Sequence, residues 1–279
     1  MMRRTIACAV CLLAVAAGAA LGQGMLLGVG KQSGAAPAWT PASLTAPFSW
    51  YDPSDFSTMF QDQAKTTPVT AAGQNVCAIN DKSGAGNHMT QPTAANCPVL
   101  TLDGSLRPYL ACNGAKVLIG GVTGIVQNAP LLFAGAAIQS SVAGMIWSAE
   151  TPAGGELIEL SYSNNGIGYE FSGRRITGDA FSTIAVGTTD TTIQSYIGVH
   201  DYSGATTTLY KNGTAIVGPT ASQTAGLTAN ATSPATGLCG WAGSGFLITA
   251  NVYQVVVGQV LSAGDRASLD TFLRSKVGL

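Results

Sequence analysis

TTTLYKNGTAIV, residues 206–217, carries the clearest local signal in this chain. Two short runs rich in Thr, Tyr, Ile and Val flank Asn212-Gly213. That dipeptide suits a two-residue type I′ turn, because both residues tolerate the positive φ angles that such a turn demands. A β-hairpin is therefore predicted here, and the same grammar extends outward in both directions. Candidate strands are Lys116–Gly120, Leu131–Ile138, Val142–Trp147, Glu156–Ser161, Ile167–Phe171, Phe181–Val186, Ile193–His200, Thr206–Tyr210, Ala215–Val217 and Asn251–Val260. Most are β-branched or aromatic and end at Gly, Asn, Pro or Ser. One helix stands against this pattern, in LSAGDRASLDTFLRSKV at 261–277. Ser262 and Asp265 make a capping-box-like start, and Leu269, Phe272, Leu273 and Val277 fall on one helical face. Many short strands followed by one helix predict an all-β sandwich of two antiparallel sheets with a short C-terminal helix, placed at a sheet edge or the sandwich end.

Composition supports this. The chain has 279 residues, of which 46% are hydrophobic and only 10% charged, with 35 Gly and 12 Pro. So few charges cannot build long salt-bridged helices. Lys and Arg number 13 against 14 Asp and Glu, a net charge of −1. No basic field exists to hold a phosphate backbone, which argues against nucleic acid as a partner.

The N-terminus reads as a separate object. MMRRTIACAVCLLAVAAGAALGQG, residues 1–24, joins Arg3-Arg4 to a small and apolar run and ends in Ala20-Leu21-Gly22, a signal-peptidase-like site. A cleaved signal, a retained membrane anchor, or an extension upstream of a start at Met25 all fit it. Residues 25–45 read as a linker or arm, leaving 46–279 as the sandwich. Of the cysteines, Cys8 and Cys11 lie in the apolar run. Cys77, Cys97, Cys112 and Cys239 allow three full pairings, or four buried thiols. Cys77 and Cys97 flank the loop Asp81–His88, so a bridge there would close it as a unit; this pair ranks before Cys112–Cys239.

Few residues suggest chemistry. His88 sits in a turn, and His200 ends a strand. Neither neighbours a nucleophile motif, a phosphate loop or a paired-Cys zinc site. The one close carboxylate pair on an apolar run is Glu156 and Glu159. Residues three apart on a strand face opposite ways, so these two cannot act together on a glycosidic bond. Tyr162, Asn164, Asn165, Arg174 and Arg175 flank the predicted hairpin at 167–171. An aromatic ring with amide and guanidinium groups suits sugar binding, while the plainer reading makes Asn164-Asn165-Gly166 a turn and the arginines solvated charges. Trp50, Trp147 and Trp241 are expected in the core, given the area an indole buries.

The segment 50–113 also resembles a known family. Trp50-Tyr51-Asp52 with Ser54-Asp55, Phe60-Gln61-Asp62, Thr67-Pro68-Val69-Thr70, and Asp81-Lys82-Ser83-Gly84 with Gly86-Asn87-His88 look like the entry segment of laminin G-like domains. These are concanavalin A-like lectin/glucanase sandwiches found in bacteriophage and prophage structural proteins, and the resemblance implies a jelly-roll topology. LYKNG at 209–213, Asn251–Val260 and the closing helix resemble the family's penultimate hairpin, last strand and terminal segment. Cys97-Pro98 stands where the family usually has Arg-Pro. The resemblance implies a non-catalytic virion structural or accessory protein, with other virion proteins, self-association or a bacterial surface glycan as partners. A secreted or surface-anchored bacterial carbohydrate-binding module is the alternative, and a glycoside hydrolase the third reading. The hydrolases of related sandwiches carry an E-x-D-x-x-E-like run that is missing here. Related domains sometimes hold calcium near the Asp81–His88 loop, but Gln254 replaces an acidic residue often found on the last strand. No metal and no cofactor is expected, and a membrane is a partner only if residues 1–24 are retained. The expected location is the virion, or outside the cell if residues 1–24 act as a signal.

Overall fold

The computed structural model describes residues 38–121, 124–150, 156–163, 167–176, 178–221, 223–228, 235–241 and 245–279. The signal-like segment 1–24 and residues 25–37 of the expected arm lie outside the described residues. The sandwich belongs to the compact unit Trp39–Leu279. Its strands, in chain order, are β1 (Phe48–Tyr51), β2 (Met59–Phe60), β3 (Ala78–Ile79), β4 (Met89–Thr90), β5 (Val99–Leu102), β6 (Pro108–Asn113), β7 (Leu118–Gly121), β8 (Leu131–Val142) and β9 (Gly144–Glu150). They continue as β10 (Glu156–Ser163), β11 (Gly168–Gly173), β12 (Ser182–Ala185), β13 (Gln194–Asp201), β14 (Thr206–Lys211), β15 (Thr214–Ala221), β16 (Ala235–Leu238) and β17 (Thr249–Gly258), before the helix α1 (Ala263–Val277). The first sheet runs β15-β14-β13-β8-β17-β6-β5, with β1 also paired to β17; the second runs β12-β11-β10-β9-β16-β7-β4-β3-β2. Neighbouring strands pair antiparallel, as in β8–β17 and β10–β11. The predicted all-β sandwich of two antiparallel sheets with a C-terminal helix is the observed architecture.

β17 and β8 form the middle of the first sheet. β8 lies along one edge of β17, while β6 and β1 share the other, meeting its first and last halves. Both strands are buried on both faces, which explains why LLFAGAAI and VYQVVVG read as nearly unbroken apolar runs. Inward, Leu132, Ala134, Ala136, Ile138, Val252, Val255 and Val257 join the main core. Outward, Phe133, Ala137, Tyr253 and Val256 pack under Leu269, Leu273 and Val277 of α1. The helix therefore lies on the face of the first sheet, which corrects the expected position at an edge or end. Gly135 makes room for it: a Cβ there would come within 3.2 Å of Leu273 and 3.4 Å of Leu269. Asp270 ties the helix to β13 by accepting from Ser195 Oγ at 2.7 Å, and Arg274 Nε covers the same carboxylate at 2.7 Å. Ser262 Oγ caps the first turn by accepting from the Asp265 amide, and Gly278 ends the helix at φ 71°. Trp39 and Leu44, inside the stretch expected to be an arm, pack into this helix-side cluster, Trp39 edge-on to Phe272.

The family-like segment forms β1 to β6, short strands that the sequence reading left unassigned. Its loop is structural. The Asp81 carboxylate accepts from the amides of Trp50, Ser83 and Asn87 and from Ser83 Oγ, while His88 Nδ1 accepts from the Asp81 amide. Gln254 is fully buried beside it; with its amide turned to satisfy its neighbours, it accepts from Trp50 Nε1 and donates to Asp52. Cys77–Cys97 is a disulfide with Cα atoms 4.9 Å apart, and Cys112–Cys239 is a second, at 5.7 Å, linking β6 of one sheet to the end of β16 in the other. Asn212 and Gly213 both take positive φ, 48° and 82°, as the type I′ turn requires.

Between the sheets, Gly198 on β13 admits Phe171 from β11, whose ring would lie 2.1 Å from any Cβ there. Phe171 stacks on His200 at 4.3 Å. That imidazole is fully buried, with Nδ1 2.9 Å from Thr207 Oγ1 and 2.9 Å from Gln223 Nε2. Burial lowers its pKa to about 4 from the usual 6.5. Unfolded, the ring takes a proton near 6.5; folded, it resists until about 4. Stability from the neutral ring is thus full above pH 6.5 and lost as pH falls from there to about 4, a contribution of about 3 kcal/mol. We expect the urea midpoint of the wild-type chain to drop over this window more steeply than that of His200→Gln; parallel pH profiles would show that the imidazole does not titrate in this way.

Candidate functional site

The hairpin of β10 and β11 builds the site by strict alternation. Ile158, Leu160 and Tyr162 on β10, and Tyr169 and Phe171 on β11, enter the core. Glu159, Ser161 and Glu170 fall on the opposite, outer face. The register sets Ser161 opposite Glu170 and Glu159 opposite Ser172, so the two glutamates are diagonal neighbours on one face. Diagonal pairs of this kind have Cα atoms about 7–8 Å apart. On the other side of β10, a bulge in β9 lets both Ile146 and Trp147 turn inward and brings Met145 opposite Ser161.

Above this face lies a cavity of about 440 Å³. Glu159, Ser161, Glu170 and Arg174 give it polar walls, and Met145, Phe181 and Phe246 give it apolar ones. Phe181 and Phe246 are 43% and 66% exposed, unusually open for large aromatic side chains. The Met145 amide donates to the Phe246 carbonyl at 2.8 Å, fixing the backbone of that residue beside β9. Close approach at Gly144 makes this possible, since a Cβ there would lie 2.7 Å from the Ile248 backbone. Trp241 sits 6.0 Å from the Phe246 ring. Glu159 is only 8% exposed, and burial raises the pKa of Glu170 above the usual carboxylate range.

The residues expected to contact a ligand are divided by the structure. Tyr162 lines the cavity but is only 2% exposed, with its ring packed edge-on to Tyr169 at 4.9 Å; Tyr169 stacks on Tyr196 at 3.9 Å. It is a core ring at the end of a strand, not a loop platform, because position 162 shares the inward face with 158 and 160. Arg174 lines the cavity. Arg175, its neighbour, turns away into a bidentate pair with Asp179 at 3.0 and 3.2 Å and donates to the Leu227 carbonyl. Asn164 and Asn165 lie outside the described residues. Trp50 and Trp147 are buried as expected, whereas Trp241 is partly exposed. Among the described residues no cluster of His, Cys, Asp or Glu is placed to hold a metal ion, and no helix is long and apolar enough to cross a membrane.

Glu170, Phe181 and Phe246 were missed from sequence. The first was within reach: if 164–167 is read as the turn, position 170 pairs with 161 and shares a face with 159. Phe246 carried no such signal, because a long-range contact to β9 positions it.

No family model matches the chain, and no curated protein does. Among solved structures it is similar to Trypanosoma rangeli sialidase, with a TM-score of 0.50 at 12% identity, over 83% of this chain and 33% of the sialidase. An arabinofuranosidase complexed with arabinofuranosyl-alpha-1,2-xylobiose gives 0.48 at 12% identity, over 72% of this chain and 51% of that one. The botulinum neurotoxin serotype G binding domain gives 0.47 at 10%, over 71% and 49%. The chain spans about a third of the length of the sialidase it matches, and at such identity the likeness establishes the fold alone. It nevertheless corrects one expectation. The sequence reading excluded an enzyme, yet this sandwich is similar to part of a chain named as a sialidase. The geometric ground for the exclusion also fails, because Glu159 shares its face with Glu170 on the next strand rather than depending on Glu156.

Glu170 leads to a direct stability test. A carboxyl whose folded pKa lies above its unfolded value binds more protons when folded, so stability falls as pH rises through that window and the loss persists at neutral pH. Glu170→Gln should therefore unfold at a higher temperature than wild type at pH 7.5, with the gap closing in acid. An unchanged or lower midpoint at pH 7.5 would show that the ionised carboxyl is stabilised where it sits.

Proposed function

We propose that this sandwich binds a glycan in the cavity on the outer face of its second sheet. The observation that carries the reading is the pairing of two exposed aromatic rings, Phe181 and Phe246, with a polar wall of Glu159, Ser161, Glu170 and Arg174 in one concave site. A sugar ring has the same duality, with apolar C–H faces and hydroxyl edges. Carboxylates accept from those hydroxyls, a guanidinium donates to them, and an aromatic ring covers the C–H face. The near-neutral charge of the chain suits an uncharged or weakly charged partner.

A finer reading places this contact on a virion. Its support is the resemblance of residues 50–113 and of the closing strand and helix to laminin G-like virion sandwiches. In that reading the partners are a bacterial surface glycan, other virion proteins and further copies of this chain. A secreted or surface-anchored bacterial module is the alternative, supported by Arg3-Arg4 and the apolar run after it, and by two disulfides, which persist best in oxidising surroundings.

Glycan microarray retention of the purified chain, followed by titration of the best-retained oligosaccharide, tests the binding. Phe246→Ala and Arg174→Ala should each weaken it by about three- to tenfold, the size of one ring contact or one imperfect charge-assisted contact. Phe246 lies at the surface, so the thermal midpoint of its variant should stay close to wild type. Retention that neither change affects would move the binding site elsewhere on the protein.

A further inference from the structure

We infer that Glu170 and Glu159 are a proton donor and a base that hydrolyse a glycosidic bond of the glycan held in this cavity. The inference rests on the binding proposed above and goes beyond it, since binding alone needs no second carboxylate.

Glycoside hydrolysis needs two carboxyl groups on either side of the scissile bond, about 5–5.5 Å apart for a covalent route or about 6.5–9.5 Å apart when water attacks directly. The register of β10 and β11 supplies such a pair. Glu159 and Glu170 stand diagonally on adjacent strands, their side chains equal in length and leaving the sheet on the same face. With backbones about 7–8 Å apart and side chains of equal length, the two carboxyl groups can reach the wider spacing, which leaves room for a water. The site around them is built for a substrate: a cavity of about 440 Å³, an arginine in its wall and exposed aromatic rings at its edge.

Burial holds Glu170 protonated to higher pH than an ordinary carboxyl, which suits a donor. Glu159 stands diagonally across from it on the same face and borders the same cavity, where it can take a proton from an attacking water. Glu170 gives its proton to the glycosidic oxygen as the bond from that oxygen to the anomeric carbon breaks, and the bonding pair stays on the oxygen. Water attacks the anomeric carbon from the opposite side and loses a proton to Glu159. The products are an alcohol and a sugar hemiacetal of inverted configuration. Exchange with solvent then returns the proton to Glu170 and removes that on Glu159, so no other reactant is needed.

The test uses the full chain with β-1,3-glucan, arabinoxylan oligosaccharides and sialyllactose, and scores retention and release of reducing ends separately. For a probe that is both retained and cleaved, Glu170→Gln should cut release by about a hundredfold or more while leaving retention within a few fold. Its loss should be much smaller on the 2,4-dinitrophenyl glycoside of the same sugar, whose leaving group needs no proton. Glu159→Gln should cut both by a similar factor. Nuclear magnetic resonance of the first product should show the inverted anomer. Retention without release by the wild-type chain overturns the hydrolysis and leaves the binding standing. Release unchanged in both variants, or product with retained configuration, overturns this assignment of the pair. Retention of none of the probes overturns binding and hydrolysis together.

Discussion

The pairing of β17 with β8 is the constraint on which the rest of this structure depends. The last strand of the chain inserts between β8 on one edge and β6 with β1 on the other, so the first sheet has no continuous centre until residues 249–258 are in place. The strand must then be covered on both faces. The inward side meets the second sheet, and the outward side meets α1, which comes after only a short connection. A helix tethered so closely to the strand it covers loses little loop-closure entropy. Gly135, Ala137 and the Asp270–Ser195 hydrogen bond fit the helix to its seat.

The consequence for function lies on the other side of the sandwich. The helix covers the outer face of the first sheet, and that face is correspondingly apolar. Around the β10–β11 hairpin, among the described residues, no helix lies over the second sheet, which keeps Glu159, Ser161, Glu170 and Ser172 on its outer side. Glu159, Ser161 and Ser172 are buried there and Glu170 is half-buried; burial raises the pKa of Glu170, while Glu159, Ser161 and Glu170 still border a cavity. Carboxyls in such surroundings cost stability, and sites with a chemical task are where such costs are commonly kept.

The site also shows why a local reading of carboxylates misled. Read along the chain alone, Glu156 is the carboxylate that stands nearest Glu159. Glu159 and Glu170 are eleven positions apart in sequence and come together through the antiparallel register alone. A one-residue slip of that register would turn every side chain of one strand to the other face, exchanging Glu170 for Tyr169 at the cavity. Arg174 and Arg175 make the same point: adjacent in sequence, one borders the cavity and the other is taken up by Asp179 and the Leu227 carbonyl.

By itself the sequence determined the class of the fold, the turn at Asn212-Gly213, the strands at Leu131–Ile138 and Asn251–Val260, and the C-terminal helix with its Ser262 cap. Each of these comes from chemistry within a few residues: turn propensity, apolar runs and capping. Only the tertiary structure decided where the helix packs, how Cys112 meets Cys239 across the sheets, that Tyr162 belongs to the core, and that Glu170 and Phe246 meet at one cavity. These depend on register and on contacts between residues far apart in the chain, and no local preference encodes which distant strand will lie alongside.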